Sequence, residues 1–102
     1  MPLQEITEAD LIRHLPHAQG KEVILFITAF CGTCKLAERM LDIVLATSVR
    51  IQIRKLNINY APQLRDTWQI ASVPCLVILE DGRPTRFEYA MHSVDHLYKL
   101  LQ

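Results

Sequence analysis

Hydrophobic and polar positions change their spacing several times along the chain, and each change marks a new element. Leu3 to Ile6 reads as a short strand, and Thr7, three residues before Asp10, as the N-cap of a helix from about Glu8 to Leu15 that Pro16 to Lys21 ends. Val23 to Thr28 is β-branched and aromatic without alternation, the pattern of a strand buried on both faces. Leu36, Ala37, Met40, Leu41, Val44 and Leu45 then recur at spacings of three and four, so the longest helix runs from about Thr33 to Ala46. Val49, Ile51 and Ile53 alternate with Arg50, Gln52 and Arg54, which predicts a strand extending through Leu56 and Ile58 with Lys55 on the face of Ile51 and Ile53.

Pro62 opens a short helix reaching Trp68, with Asn59 as its candidate cap. After Pro74, Cys75 to Leu79 is again continuously apolar, and Asp81-Gly82 is the dipeptide of a two-residue hairpin turn whose central residues take positive φ. The returning strand, Thr85 to Tyr89, has Pro84 at its start and polar residues along its length, as an edge strand does. Ser93 caps a last helix whose apolar face is Val94, Leu97, Tyr98 and Leu101. The order β-α-β-α-β-α-β-β-α predicts an α/β chain with a central mixed sheet of four to five strands and helices on both faces.

Composition narrows this further. At 102 residues the chain has room for one domain, residues 1–102, and 50% hydrophobic with 22% charged residues excludes a disordered chain. Eleven Lys plus Arg balance eleven Asp plus Glu, so the basic excess that holds phosphate backbones is missing and no nucleic-acid partner is expected. The first fifteen residues carry Glu5, Glu8 and Asp10 and no secretory apolar core, while Val23 to Cys31 falls far short of the ~20 residues that span a bilayer. Neither a signal peptide nor a membrane segment is expected. Three cysteines, two of them as Cys-x-x-Cys, suit a reducing cytoplasmic compartment better than a secreted disulfide framework.

Cys31-Gly32-Thr33-Cys34 lies between the buried strand and the longest helix, which puts Cys31 at that helix's N-terminus. Unpaired N–H groups and the positive end of the helix dipole stabilise a thiolate there, with pKa values of roughly 3.5 to 7.5 in such settings. Cys31 is therefore the candidate nucleophile. Residues three apart on a helix are neighbours at a separation that a disulfide can bridge, so Cys34 can resolve a mixed disulfide.

With Phe26, Cys31-Gly-Thr-Cys34-Lys35, Lys55-Leu-Asn-Ile-Asn59, Val73-Pro74 and Asp81-Gly82 in this order and spacing, the chain resembles the thioredoxin family over nearly its whole length. The resemblance implies the thioredoxin fold and thiol–disulfide exchange with protein substrates, with Cys31 attacking, Cys34 resolving and a cis Val73–Pro74 peptide facing them. It implies a substrate surface from Phe30, Gly32, Thr33, Val73 and Pro74, no organic cofactor, and reducing equivalents from a thioredoxin reductase or a low-molecular-weight thiol. Three departures carry expectations of their own. Most of the family has Trp-Cys-Gly-Pro-Cys where this chain has Phe30-Cys31-Gly32-Thr33-Cys34, and the pair between the thiols tunes potential, so a more oxidising couple is expected. Leu25 stands where the family has a buried Asp, which removes the usual proton acceptor of Cys34 and leaves Lys55 as a free positive charge that stabilises the thiolates. Ala90 takes the place of a family glycine and is expected to narrow the groove.

The plainer readings stand beside these. Cys31, Cys34 and Cys75 could together offer thiolates to a metal, but the finger-like spacing of four ligands is missing and no metal is expected. Cys75 reads as a small buried residue with a modulating role as the alternative. His92 and His96 read as solvated surface residues, Trp68 as half-buried packing with Tyr60 beside it, and Glu38 with Asp42 and Arg39 as a wet helix face. The reading that competes with catalysis is an interaction module, or a metal-binding protein, whose dithiol does not turn over.

Overall fold

The computed structural model describes residues 3–47 and 49–102. Five strands form one mixed sheet: β1 (Gln4–Glu5), β2 (Lys21–Ile27), β3 (Gln52–Asn57), β4 (Cys75–Glu80) and β5 (Arg83–Glu88), in the order β1-β3-β2-β4-β5. The first three run parallel to one another, β4 is antiparallel to β2, and β5 is antiparallel to β4. Four helices flank the sheet: α1 (Glu8–His14), α2 (Gly32–Leu45), α3 (Pro62–Thr67) and α4 (Val94–Leu101).

The two continuously apolar segments became β2, the central strand, and β4, the interior strand beside it. Val23, Leu25 and Ile27 of β2, with Leu76 and Ile78 of β4, face a core closed by Cys34, Ala37, Leu41 and Val44 of α2 and by Leu97 and Leu101 of α4. Ile24 and Phe26, with Cys75, Val77 and Leu79, face the opposite core, where Leu11 of α1 and Leu64 of α3 close it. At roughly 1.5–3 kcal/mol for each large side chain fully buried, this two-sided burial is what holds the middle of the sheet.

Local chemistry sets the element ends. Thr7 accepts the Asp10 N–H at 3.1 Å and Ser93 accepts the His96 N–H at 3.0 Å, as the capping pattern predicts. Asp81 and Gly82 both take positive φ, at 53° and 81°, in the turn between β4 and β5. The turn is tied back by the Gly20 N–H donating to Asp81 Oδ1 at 2.7 Å.

Several boundaries differ from the sequence reading, among them the start of β3, which lies at Gln52 and not at Val49. The first strand is only Gln4–Glu5, since it pairs with β3 over two positions. β3 stops at Asn57, whose side chain accepts the Asn59 N–H at 2.9 Å and turns Ile58–Tyr60 into a 3-10 turn instead of strand. Asn59 consequently does not cap α3; Ala61 occupies that position with no side-chain cap, and Pro62 supplies the preset φ. β5 begins at Arg83 and includes Pro84, which the edge position allows because Thr85 bulges out of the register between Ile78 and Leu79.

Candidate active site

β2 ends at Ile27, and a short connection delivers Cys31 to the N-cap of α2. Cys31 is extended, at φ −144° and ψ 105°, while Cys34 is already inside the helix. Their Cα atoms are 5.2 Å apart and the pair is disulfide-bonded. Cys31 Sγ accepts the Cys34 N–H at 3.1 Å and lies 3.4 Å from the Thr33 hydroxyl. Both groups can donate to a charged sulfur, beside the positive end of a fourteen-residue helix. Exposure separates the two sulfurs: Cys31 is half-buried, whereas Cys34 is fully buried in the core under α2. A substrate disulfide can reach only the first of them.

The residues nominated beside the dithiol gather at the same end of the sheet. Phe30 is fully exposed, with Gly32 and Thr33 also at the surface, and Val73 and Pro74 are half-buried. The Val73–Pro74 peptide is cis. Thr33 and Pro74 also border a groove of about 270 Å³, whose other walls include Leu36, Met40, Tyr89 and Met91. Leu36 and Tyr89 are exposed there, at 53% and 39%. Ala90 lines the groove as well, so the groove persists with alanine in that place. Sequence reasoning missed Leu36, Met40 and Met91 as groove residues, having placed the first two in the core stripe.

Three charge and thiol assignments are corrected or refined. Lys55 is not a free cation: its Nζ donates to Glu38 Oε1 at 2.7 Å, with 18% and 20% of the two side chains exposed. Glu38 accordingly leaves the wet face assigned to it, because α2 crosses the sheet with that residue over β3. Cys75 is fully buried on the opposite face of β4 from the core that holds Cys34, so its thiol is not a third ligand beside the dithiol. Burial pushes the Cys75 thiol up to about 11, and the Tyr89 hydroxyl bonded to it opposes part of that rise. Among the described residues no cluster of three His, Cys, Asp or Glu side chains could hold a metal ion.

His92 and His96 are not simply solvated. Their rings meet edge to face at 4.8 Å, and His96 Nε2 is buried without a partner among the described residues. Trp68 packs edge to face on Phe26 at 6.1 Å, as half-buried packing, while Tyr60 is 75% exposed. A further cluster escaped the sequence reading altogether. Glu22, 6% exposed, accepts from Arg54 at 2.9 Å and bonds His14 Nε2 at 2.9 Å. It lies near the start of β2, at the opposite end of the strand from the dithiol.

Comparison with known proteins agrees with this geometry. The thioredoxin family model matches residues 2–102. A thioredoxin-like protein of Bacillus subtilis, YusE, is 37% identical over 89 residues, covering 86% of this chain and 84% of the relative. Thioredoxin of Chlamydia trachomatis is 27% identical over 84 residues, covering 82% of each. Among solved structures, a single-site mutant of thioredoxin from Halobacterium salinarum superposes with a TM-score of 0.80 at 21% identity, covering 98% of this chain and 87% of the other. Chloroplastic thioredoxin z superposes with a TM-score of 0.81 at 19% identity, covering 99% and 92%. The last two likenesses speak for the fold alone. No helix of the described residues is long and apolar enough to cross a membrane.

Proposed function

Because the chain belongs to the thioredoxin family and carries a thiol–disulfide oxidoreductase site, we propose that Cys31 is its nucleophile and Cys34 its resolving thiol, acting on protein disulfides within one thioredoxin-like domain. The observation that carries this reading is the unequal exposure of the two sulfurs, with the reachable one at the helix N-cap.

In the reduced protein the Cys31 thiolate attacks one sulfur of a substrate disulfide. That bond breaks, the second substrate sulfur leaves as a thiolate, and Cys31 is left in a mixed disulfide. Cys34 then loses its proton, attacks Cys31 Sγ and releases the first substrate sulfur. Two electrons have passed to the substrate, and the protein holds the Cys31–Cys34 disulfide. Two electrons from a thioredoxin reductase or a low-molecular-weight thiol restore the dithiol. The Cys34 N–H and the Thr33 hydroxyl support the attacking thiolate, as does the helix dipole.

Phe30, Gly32, Thr33, Val73 and Pro74 form the docking surface, with the Val73 backbone pairing with an extended substrate segment. Lys55 and Cys75 modulate the couple without entering the exchange. A chain with three cysteines, one of them a free thiol sealed in the core, suits the reducing cytoplasm.

Insulin reduction with dithiothreitol tests the assignment. Cys31→Ser should abolish turnover and form no adduct, while Cys34→Ser should accumulate a mixed disulfide at Cys31. An adduct on Cys34 or Cys75 in its place, or turnover by Cys31→Ser, would refute it.

A further inference from the structure

One turn of α2 beyond the inner cysteine lies a charge pair whose members come from two elements. Lys55 leaves β3 in register with Leu25 of β2 and reaches Glu38 Oε1 at 2.7 Å. Glu38 follows Cys34 by one turn of α2, the spacing that sets two helix side chains next to each other. Leu25 and Cys34 are fully buried in one core cluster, so the pair borders the apolar shell that encloses the inner sulfur. With only 18% and 20% of the two side chains exposed, solvent and salt screen it less than a surface pair.

A cation near a thiol favours the thiolate and an anion opposes it. The reduced form of a dithiol carries the thiolate, so whatever stabilises it makes the couple more oxidising. Lys55 alone would act in that direction. Bonded to Glu38, it presents the sulfurs with a dipole in place of a net charge. The other groups on this side do not take over its role. Glu5 of β1 is in register with Lys55 but exposed, and Asp42 lies a further turn along α2, bordering a cleft with Leu3 and Ile53. Lys35 and Arg39 of α2 are exposed, Lys21 of β2 bonds the Leu100 carbonyl at 3.0 Å, and on α4 Asp95 and Lys99 are exposed while His96 packs on His92.

We propose that Glu38 is a positioning residue that sets the redox potential of the Cys31–Cys34 couple by holding and neutralising the Lys55 ammonium beside Leu25 and Cys34. The inference rests on those two cysteines being the working couple. It places the controlling carboxylate on α2, where the neighbouring strand position is apolar.

The test is a redox equilibrium against a dithiothreitol buffer, read by thiol trapping, together with the pH dependence of Cys31 alkylation. Wild type, Glu38→Gln, Lys55→Met, the double variant and Glu38→Asp are compared. Glu38→Gln should shift the equilibrium about tenfold toward the dithiol, or about 30 mV more positive, and move Cys31 alkylation to lower pH. Lys55→Met should shift both readouts the opposite way, the double variant should return to within about threefold of wild type, and Glu38→Asp should stay close to it. A Glu38→Gln protein that melts lower but keeps the wild-type potential and alkylation profile overturns the proposal, because the pair is then only structural. If Glu38→Gln does not fold, Lys55→Met decides: an unchanged potential overturns the proposal, and a shift to more negative values supports it. Failure of wild type itself to cycle between dithiol and disulfide would overturn the catalytic reading first, and this one with it.

Discussion

Replacing Glu22 by Gln should destabilise the protein while leaving its thiol chemistry intact. The carboxylate is 6% exposed and accepts from the Arg54 guanidinium at 2.9 Å, with His14 Nε2 at 2.9 Å from each oxygen. Glutamine keeps the shape but turns one acceptor into a donor and removes the charge facing Arg54, whose own side chain is 13% exposed and whose Nε has no partner among the described residues. Breaking a buried pair by removing one charge costs about 3–5 kcal/mol. The residual exposure of Arg54 and His14 places this case at the lower end, about 3 kcal/mol. For a domain near 100 residues, about 4–8 °C per kcal/mol converts this to a fall in Tm of about 12–24 °C. Thermal unfolding followed by circular dichroism reads the number, and urea midpoints at constant m check it. Arg54→Met in the Glu22→Gln background should recover part of the loss, because the stranded charge is then gone. Insulin reduction per folded molecule should match wild type, since the cluster and Cys31 lie at opposite ends of β2. A Tm within about 4 °C of wild type, or strict additivity of the two substitutions, would refute the reasoning.

Other consequences are equally measurable. Cys75 titrates at about 11 in the folded protein against 9.0 for an ordinary thiol, so the native state holds its proton more tightly. The stability tied to that proton is complete below pH 9 and is lost as the pH rises through about 11, up to roughly 2–3 kcal/mol. Wild type should therefore lose urea resistance between pH 8.5 and about 10.5 more steeply than Cys75→Ala, and equal slopes would count against it. Gly82→Ala should cost at least about 2 kcal/mol, because φ of 81° is strained for alanine and the new Cβ would run into the Leu15 carbonyl; chemical denaturation reads it, and a loss under about 0.5 kcal/mol would be the wrong result. Thr33→Val removes a donor 3.4 Å from Cys31 Sγ and should slow Cys31 alkylation at neutral pH by about tenfold, the worth of one hydrogen bond to a charged group. An unchanged rate would show that the hydroxyl does not serve the thiolate.

The parts of the fold that sequence could reveal are those encoded by neighbours in the chain. Val23 to Ile27 and Cys75 to Leu79 announce two-sided burial by lacking any polar alternation, and both are interior strands. Thr7, Ser93 and Asp81-Gly82 act over three residues or fewer, so their caps and turn were readable. Where sequence reasoning slipped, a competing local bond won. Ile58 has the apolar character of the preceding strand, yet the Asn57 side chain captures the Asn59 N–H and curls the chain away.

The site divides along the same line. Cys31 and Cys34 were legible because a Cys-x-x-Cys at a strand-to-helix junction specifies both the spacing of the sulfurs and the helix end beneath them. The charges around them were not. Spacing within α2 sets Glu38 beside Arg39 and on one face with Asp42, neither of which can pair with it there, and its partner is Lys55, seventeen residues away on another element. Glu22 and Arg54 are thirty-two apart and meet only because β2 and β3 align Ile24 with Arg54, one alternate position from Glu22 on the same face. Such contacts depend on register, which a one-residue slip would reverse, and register is set by the whole apolar pattern of the two strands and not by the charged residues themselves. Leu25 belongs to that pattern. Its side chain helps seal the core over Cys34, and in doing so it leaves Lys55 without a carboxylate on β2, so that the partner comes from the helix that lies across it.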